Sequence, residues 1–280
     1  MYESFYKLRA KPFSLAPDPS FFFASKGHRR ALSYLEYGLY QGEGFIVVTG
    51  EVGAGKTTLV RSLFSKFDAA NVIGAHLVST QLDHDETLRM VASAFGVPVG
   101  DASKAVLLKR IEVFLHSCHE HGKRALLIVD EAQNLPPSAL EELRMLSNYQ
   151  AANRTLLQTF LVGQPEFRAT MQAPGMAQLR QRVIAAYHLG AMDGKETHGY
   201  IHHRLRTVGW NDDPSFDTDA LYEIYAFTGG VPRRINTLCD RLMLMGSLEG
   251  KHVFGVAEVK DVIADVQADM PAPASSAAAG

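Results

Sequence analysis

Gly50-Glu51-Val52-Gly53-Ala54-Gly55-Lys56-Thr57 follows the apolar run Phe45 to Thr49 and leads into an amphipathic stretch, Thr58 to Phe67. The octapeptide fits G-x-x-x-x-G-K-[ST], and a strand signal before it and a helix signal after it are the context that pattern requires of a phosphate-binding loop. Each residue type has a physical reason. Glycines let successive backbone N–H groups curl around an anion, Lys56 reaches the outer phosphates, and Thr57 offers a hydroxyl to Mg²⁺ while opening a helix whose positive dipole end faces the charge. Gly50, Glu51, Val52, Gly53, Ala54, Gly55, Lys56, Thr57 and Thr58 are therefore the candidate nucleotide-binding residues, with a chance glycine-rich turn as the alternative.

Downstream, Ala125-Leu126-Leu127-Ile128-Val129-Asp130-Glu131 reads as a buried strand ending in two carboxylates. An apolar run alone would be a core strand, but with a phosphate-binding loop upstream its acidic end has the form of a Walker B segment. Asp130 is then expected to hold Mg²⁺ through water and Glu131 to polarise the attacking water, which favours a hydrolase over a kinase. A strand (Ile73 to Ser79) and two helices (Asp85 to Phe95, Ala102 to His121) lie between the two motifs, so the sheet must contain an inserted strand. Helix Ser138 to Asn148 precedes strand Leu156 to Gly163, which ends at Gln164-Pro165. A polar side chain there would lie beside the γ phosphate, making Gln164 a candidate sensor, or else a strand-capping amide. Arg180 and Arg182 precede a short strand, Ala185 to Leu189. Such arginines are either solvated or, in an oligomeric nucleotide hydrolase, directed at a neighbour's nucleotide.

Around this centre the chain changes character twice. Residues 1–25, with Pro12-Phe13, Pro17-Asp18-Pro19 and Phe21-Phe22-Phe23, predict an extended segment pinned by buried rings, either bordering a base or acting as a packing strap. A helix over Lys26 to Gln41 follows, so the nucleotide-binding core is expected over 26–191. From Met192 the strand pattern stops and helices are predicted at Lys195 to Val208, Thr218 to Thr228, Pro232 to Ser247 and Val256 to Asp269, a helical lid over 192–269. Gly229-Gly230-Val231-Pro232-Arg233-Arg234 places a proline at a helix start, which fixes the first turn and aims an arginine back toward the core. The Pro/Ala/Ser-rich end, 270–280, is expected to be a disordered tail.

Composition narrows the function classes. Lys and Arg (28) nearly balance Asp and Glu (30), which predicts no strong non-specific attraction to nucleic acid. Cys118 and Cys239 have no paired spacing, so buried thiols in a reducing compartment are expected rather than a disulfide framework. His116, Cys118, His119 and His121 crowd one helix end but point in several directions, which fits a solvated last turn better than a metal site. No segment reads as a signal peptide or a membrane span, so the protein is expected to be soluble, with docking on a membrane partner still open.

On these residues the chain resembles the AAA+ ATPases over Met1 to about Asp269, and more narrowly the secretion-type ATPases related to general secretion pathway protein A. The stretches YKLRAKPFSLAPDPSFFF (6–23), GEVGAGKTTLVR (50–61), LLIVDEAQNLP (126–136), LVGQPEFR (161–168), LRQRV (179–183) and GGVPRRIN (229–236) carry the resemblance. MYESFYKL (1–8), SKGHRRALSYLEYGL (25–39) and EELRMLSNYQ (141–150) are most similar to the ATPases that accompany exosortase and PEP-CTERM protein-sorting or exopolysaccharide systems. The resemblance implies an α/β P-loop NTPase fold with a five-stranded parallel sheet in order 5-1-4-3-2 and a C-terminal helical lid. It implies ATP and Mg²⁺ as cofactors, a homo-oligomeric ring or spiral, and membrane-associated export or sorting partners met from the cytoplasm at the inner face of the membrane. It also carries roles onto single positions: Lys56 and Thr57 in Walker A, Asp130 and Glu131 in Walker B, Gln164 as sensor 1, Arg182 as an arginine finger with Arg180 second, and Arg233 as sensor 2. Gln164 departs from the Asn or Thr that many relatives place at sensor 1. DNA-associated AAA+ proteins share this core and are the alternative class, against which the charge balance and the lack of a helix-turn-helix signal count. A nucleotide-gated scaffold with slow turnover is the third.

Overall fold

The computed structural model describes residues 2–16, 18–64, 71–78, 84–152 and 154–269. The expected tail, the end of the predicted helix Thr58 to Phe67 at 65–67, and Ser79 lie outside the described residues. In chain order the elements are helices α1 (Tyr2–Phe5) and α2 (Lys26–Gln41), strand β1 (Phe45–Gly50), α3 (Lys56–Phe64), β2 (Val72–Val78), α4 (His84–Ala94), α5 (Lys104–Glu120), β3 (Arg124–Asp130) and α6 (Pro137–Leu146). There follow β4 (Leu157–Gly163), α7 (Glu166–Gln172), α8 (Ala177–Arg180), β5 (Val183–Leu189), α9 (Gly194–Thr207), α10 (Thr218–Thr228), α11 (Pro232–Glu249) and α12 (Val256–Ala268). They fall into two compact units: residues 26–190, and the described residues up to Ser25 together with those from Ala191 onward.

In the first unit the five strands run parallel in the order β2-β3-β4-β1-β5, which is 5-1-4-3-2 read from the other edge, as the resemblance implied. Phe45–Gly50 and Leu157–Gly163 are buried along their whole length, the mark of strands covered on both faces. The edge strand β2 instead alternates buried Ala75 and Leu77 with exposed His76 and Val78. Leu88, Val91 and Ala92 of α4, Ile111 and Leu115 of α5, and Leu140 and Leu143 of α6 close one continuous core with Phe45, Leu127 and Leu161. The insertion of β4 between β1 and β3 fixes the site. Thr49 stands beside Gly163 and Val129 beside Leu161, so the ends of β1, β3 and β4 emerge at one level. A two-residue antiparallel ladder, Gln150–Ala151 with Arg154–Thr155, was not foreseen.

The second unit is helical, but its first part comes from the start of the chain. Residues 2–25 do not form an extended segment throughout: Tyr2 and Tyr6, four apart, fall on one helical face and bury together, giving the single turn α1. Tyr2, Tyr6 and Phe13 join the core of Leu205, Ile235, Leu242 and Phe254. Tyr2 Oη donates to Asp240 and Tyr6 Oη to Lys251 O at 2.9 Å. The buried Arg204 guanidinium donates to Pro12 O and, at 2.8 Å, to Ser14 O, while lying 4.4 Å from the Phe21 ring centre. These contacts make the segment a packing strap. The expectation of a purely helical region is corrected by a short parallel pair, Ser215–Phe216 with Val253–Phe254.

Candidate functional site

The loop after β1 closes on itself through Lys56. The residue is 6% exposed, and its ammonium donates to Gly50 O at 2.8 Å and Glu51 O at 3.0 Å. Burial lowers its pKa, and the Glu131 and Asp130 charges oppose that shift. Gly55, at φ +93°, is required twice, since a Cβ there would stand 3.0 Å from Nε2 of the buried His28. Thr57 and Thr58 occupy the first turn of α3, where backbone N–H groups have no intrahelical partners.

Thr57 Oγ1 donates to Asp130 Oδ2 at 2.8 Å, joining the loop to the end of β3. Two hard oxygen groups in contact are the donor set that suits Mg²⁺, which takes one or two protein side chains and completes its shell with water and phosphate. A cavity of about 220 Å³ opens beside them, lined by Thr57, Arg61, His76 and Asp130. His76 was not singled out from the sequence, and its Nε2 stands 3.9 Å from Asp130 Oδ2.

Glu131 is not the last residue of the strand but the first of the turn beyond it, at φ 54°, ψ 41°. A left-handed conformation at a non-glycine residue costs on the order of 1–3 kcal/mol. It is held by a short relay. Glu131 N donates to Asp130 Oδ1 at 3.0 Å, and the Glu131 carboxylate accepts from Gln133 Nε2 at 2.6 Å and from Gln164 Nε2 at 3.1 Å. Gln164 N in turn donates to Gln133 Oε1 at 3.0 Å. A Cβ on Gly163 would meet that oxygen at 3.1 Å, so the bare glycine leaves room for the relay. Burial pushes the Glu131 carboxyl up, but the two amides and the Lys56 charge outweigh it and hold the group below the usual carboxylate range. Gln133 was legible only as the last letter of Asp-Glu-Ala-Gln, where nothing distinguished it from a surface amide.

The structure thus brings Lys56, Thr57, Asp130, Glu131 and Gln164 together. Arg182 lies at the other end of the sheet, where its guanidinium donates to Ser147 Oγ at 3.1 Å and to Asn148. Arg180 donates to Met171 O at 2.6 Å and Ala173 O at 2.8 Å. Arg233 is exposed in the first turn of α11 in the second unit.

Residues 39–171 match the family described as AAA domain. General secretion pathway protein A of Aeromonas hydrophila is 37% identical over 253 residues, a match that covers 90% of this chain and 46% of that protein. The chain therefore spans about half the length of the curated relative it matches. Among solved structures, the Aeropyrum pernix ORC2 protein superposes with a TM-score of 0.70 at 17% identity, over 91% of this chain and 71% of that one. CDC6P from Pyrobaculum aerophilum gives 0.69 at 15% identity, over 93% and 74%. The chain has the P-loop AAA+ fold, and at these identities the structural likenesses speak for the fold alone.

Proposed function

We propose that this chain is a Mg²⁺-dependent ATPase that powers or regulates a cell-envelope protein-sorting, secretion or exopolysaccharide export system. The observation that carries the catalytic half is the unbroken run of hydrogen bonds from Thr57 through Asp130 and Glu131 to Gln164. It joins the loop, the acidic strand end and the inserted strand in one constellation. Similarity to General secretion pathway protein A over 90% of the chain supports the export half. The resemblance of residues 1–8, 25–39 and 141–150 to exosortase-associated ATPases supports the narrower reading.

Lys56 exchanges Gly50 O and Glu51 O for phosphate oxygens, so its charge is already in place when the nucleotide arrives. Thr57 and Asp130 would hold Mg²⁺, which neutralises charge on the phosphates. Glu131, kept ionised by its two amide donors, orients a water and accepts its proton, while Gln164 holds the carboxylate and reports the γ phosphate to β4. Arg233 acts on its own chain's nucleotide and Arg182 on a neighbour's, in a homo-oligomer at the cytoplasmic face of the membrane. No helix among the described residues is long and apolar enough to cross a membrane.

The experiment is Glu131→Gln, which keeps size and hydrogen bonding and removes the carboxylate. ATP is expected to bind unchanged while single-turnover hydrolysis falls by about 10²-fold or more. Hydrolysis at the wild-type rate would overturn the assignment. Recovery of envelope export components with the Glu131→Gln chain in ATP, and not with Lys56→Ala, tests the export half.

A further inference from the structure

A concavity in the first unit lies at the amino ends of the strands, opposite the phosphate-binding loop. It has a volume of about 560 Å³ and is floored by the starts of β2, β3 and β4 and rimmed by the end of α2. Ligand pockets typically span roughly 300–1,000 Å³. Three fixed cations line it, Lys123, Arg124 and Arg154, with His119 beside them, against one carboxylate, Glu43. Among the described residues none of the three forms an ion pair. In a chain of net charge −2, three unpaired cations in one hollow stand out, and such a cleft focuses its field on the solvent inside it.

Helix ends account for part of this. α2 and α5 both finish at the rim, and Arg124 donates to Leu39 O at 2.6 Å, capping α2. Arg154 sits on the short ladder after α6, caps no helix, and is exposed. Its charge has no ion-pair partner among the described residues. In the remaining lining Leu39, Leu126 and Leu156 give an apolar wall, Gln41, Thr155 and Gln158 add polar groups, and Tyr40, 86% exposed, also borders the hollow. Guanidinium and ammonium groups facing an apolar wall match a molecule with a phosphate at one end and an apolar or planar body at the other.

We propose that this hollow is a second anion site, distinct from the phosphate-binding loop, that takes a phosphate-bearing small molecule. The molecule is either free or the headgroup of an anionic lipid. Arg154 and Lys123 grip the phosphate, and Tyr40 covers the body.

The test uses the full chain and labelled pyrophosphate in equilibrium dialysis, with Lys56→Ala and with the pair Lys123→Ala and Arg154→Ala. Among the described residues neither Lys123 nor Arg154 makes a side-chain hydrogen bond, so thermal unfolding of the pair variant is expected to match wild type. Two equivalents are expected for the wild-type chain and one for each variant, the affinity at the emptied site falling roughly tenfold or more per lost cation. Flotation with phosphatidylglycerol vesicles, and not phosphatidylcholine vesicles, tests the lipid source. Flotation that the pair variant loses, with a single pyrophosphate bound throughout, assigns the site to a headgroup. A single equivalent that only Lys56→Ala removes, with no flotation dependent on Lys123 and Arg154, overturns the second site while leaving the loop assignment intact. Wild-type occupancy in the pair variant overturns the grip assigned to those two residues.

Discussion

Replacing Gln133 by alanine removes one of the two amides that hold the Glu131 carboxylate. A hydrogen bond to an ionised group contributes about 1.5–3 kcal/mol. Glu131 is half-buried, so water screens and partly replaces the lost donor, and the lower end applies. Since about 1.4 kcal/mol corresponds to one pKa unit, the carboxyl is expected to rise by about one unit. The sign follows from the wild-type balance: burial raises this pKa, and the amides of Gln133 and Gln164 with the Lys56 charge pull it below the ordinary value. The stabilising contribution of Glu131 is therefore present above the unfolded pKa near 4.3 and is lost as pH falls through the lower folded value. In Gln133→Ala both the contribution and the ionised fraction are lost at higher pH. Single-turnover ATP hydrolysis against pH reads this directly. The acid limb moves up by about one unit, the plateau drops because the carboxylate is less well aimed, and nucleotide affinity stays as it was. An acid limb in the wild-type position would refute the relay, whatever happens to the plateau.

Lys56→Ala is expected to lose binding of a fluorescent ATP analogue, because no other buried cation among the described residues reaches the loop carbonyls that Lys56 now occupies. Arg182→Ala and Lys56→Ala, each inactive alone, are expected to regain part of the ATPase activity when mixed at an assembling concentration, and Arg233→Ala with Lys56→Ala are not. Failure of the first mixture despite co-assembly moves the finger to Arg180. Gly246→Ala places a Cβ 2.4 Å from Tyr6 Oη and 2.5 Å from Phe254 Cζ. Overpacking of that kind costs about 1–3 kcal/mol, so an earlier thermal transition is expected; an unchanged one would show that the strap yields freely.

The sheet was legible because its information is local. The glycine loop marks the end of one strand and the Asp130-Glu131 pair the end of another; the strand between them in sequence, β2, goes to the sheet edge, and the one inserted between their strands is β4. What escaped was set by distance or by backbone. Glu131 reads as a strand end because nothing in its neighbours announces a left-handed residue, and its aim depends on Gln133 and Gln164, which come together only after β4 enters the sheet. The ladder at Gln150–Thr155 is too short to show a period of two. The rings of residues 2–25 were recognisable as buried, but periodicity says nothing about which distant surface buries them.

That distant surface sets an order of events during synthesis. Tyr2 reaches its partner Asp240 across 238 positions, and Tyr6 reaches Lys251 across 245. At roughly 5–20 residues per second, the ribosome leaves these rings waiting on the order of ten to fifty seconds before their docking groove exists. The sheet-bearing unit is one continuous stretch, 26–190, and can form in that interval. The second unit cannot close until nearly all of it has emerged. Its aromatic leader is thus a nascent-chain liability for most of translation. A tag or fusion that delays or blocks the return of residues 2–25 is expected to unsettle the far end of the chain while leaving the nucleotide-binding unit folded.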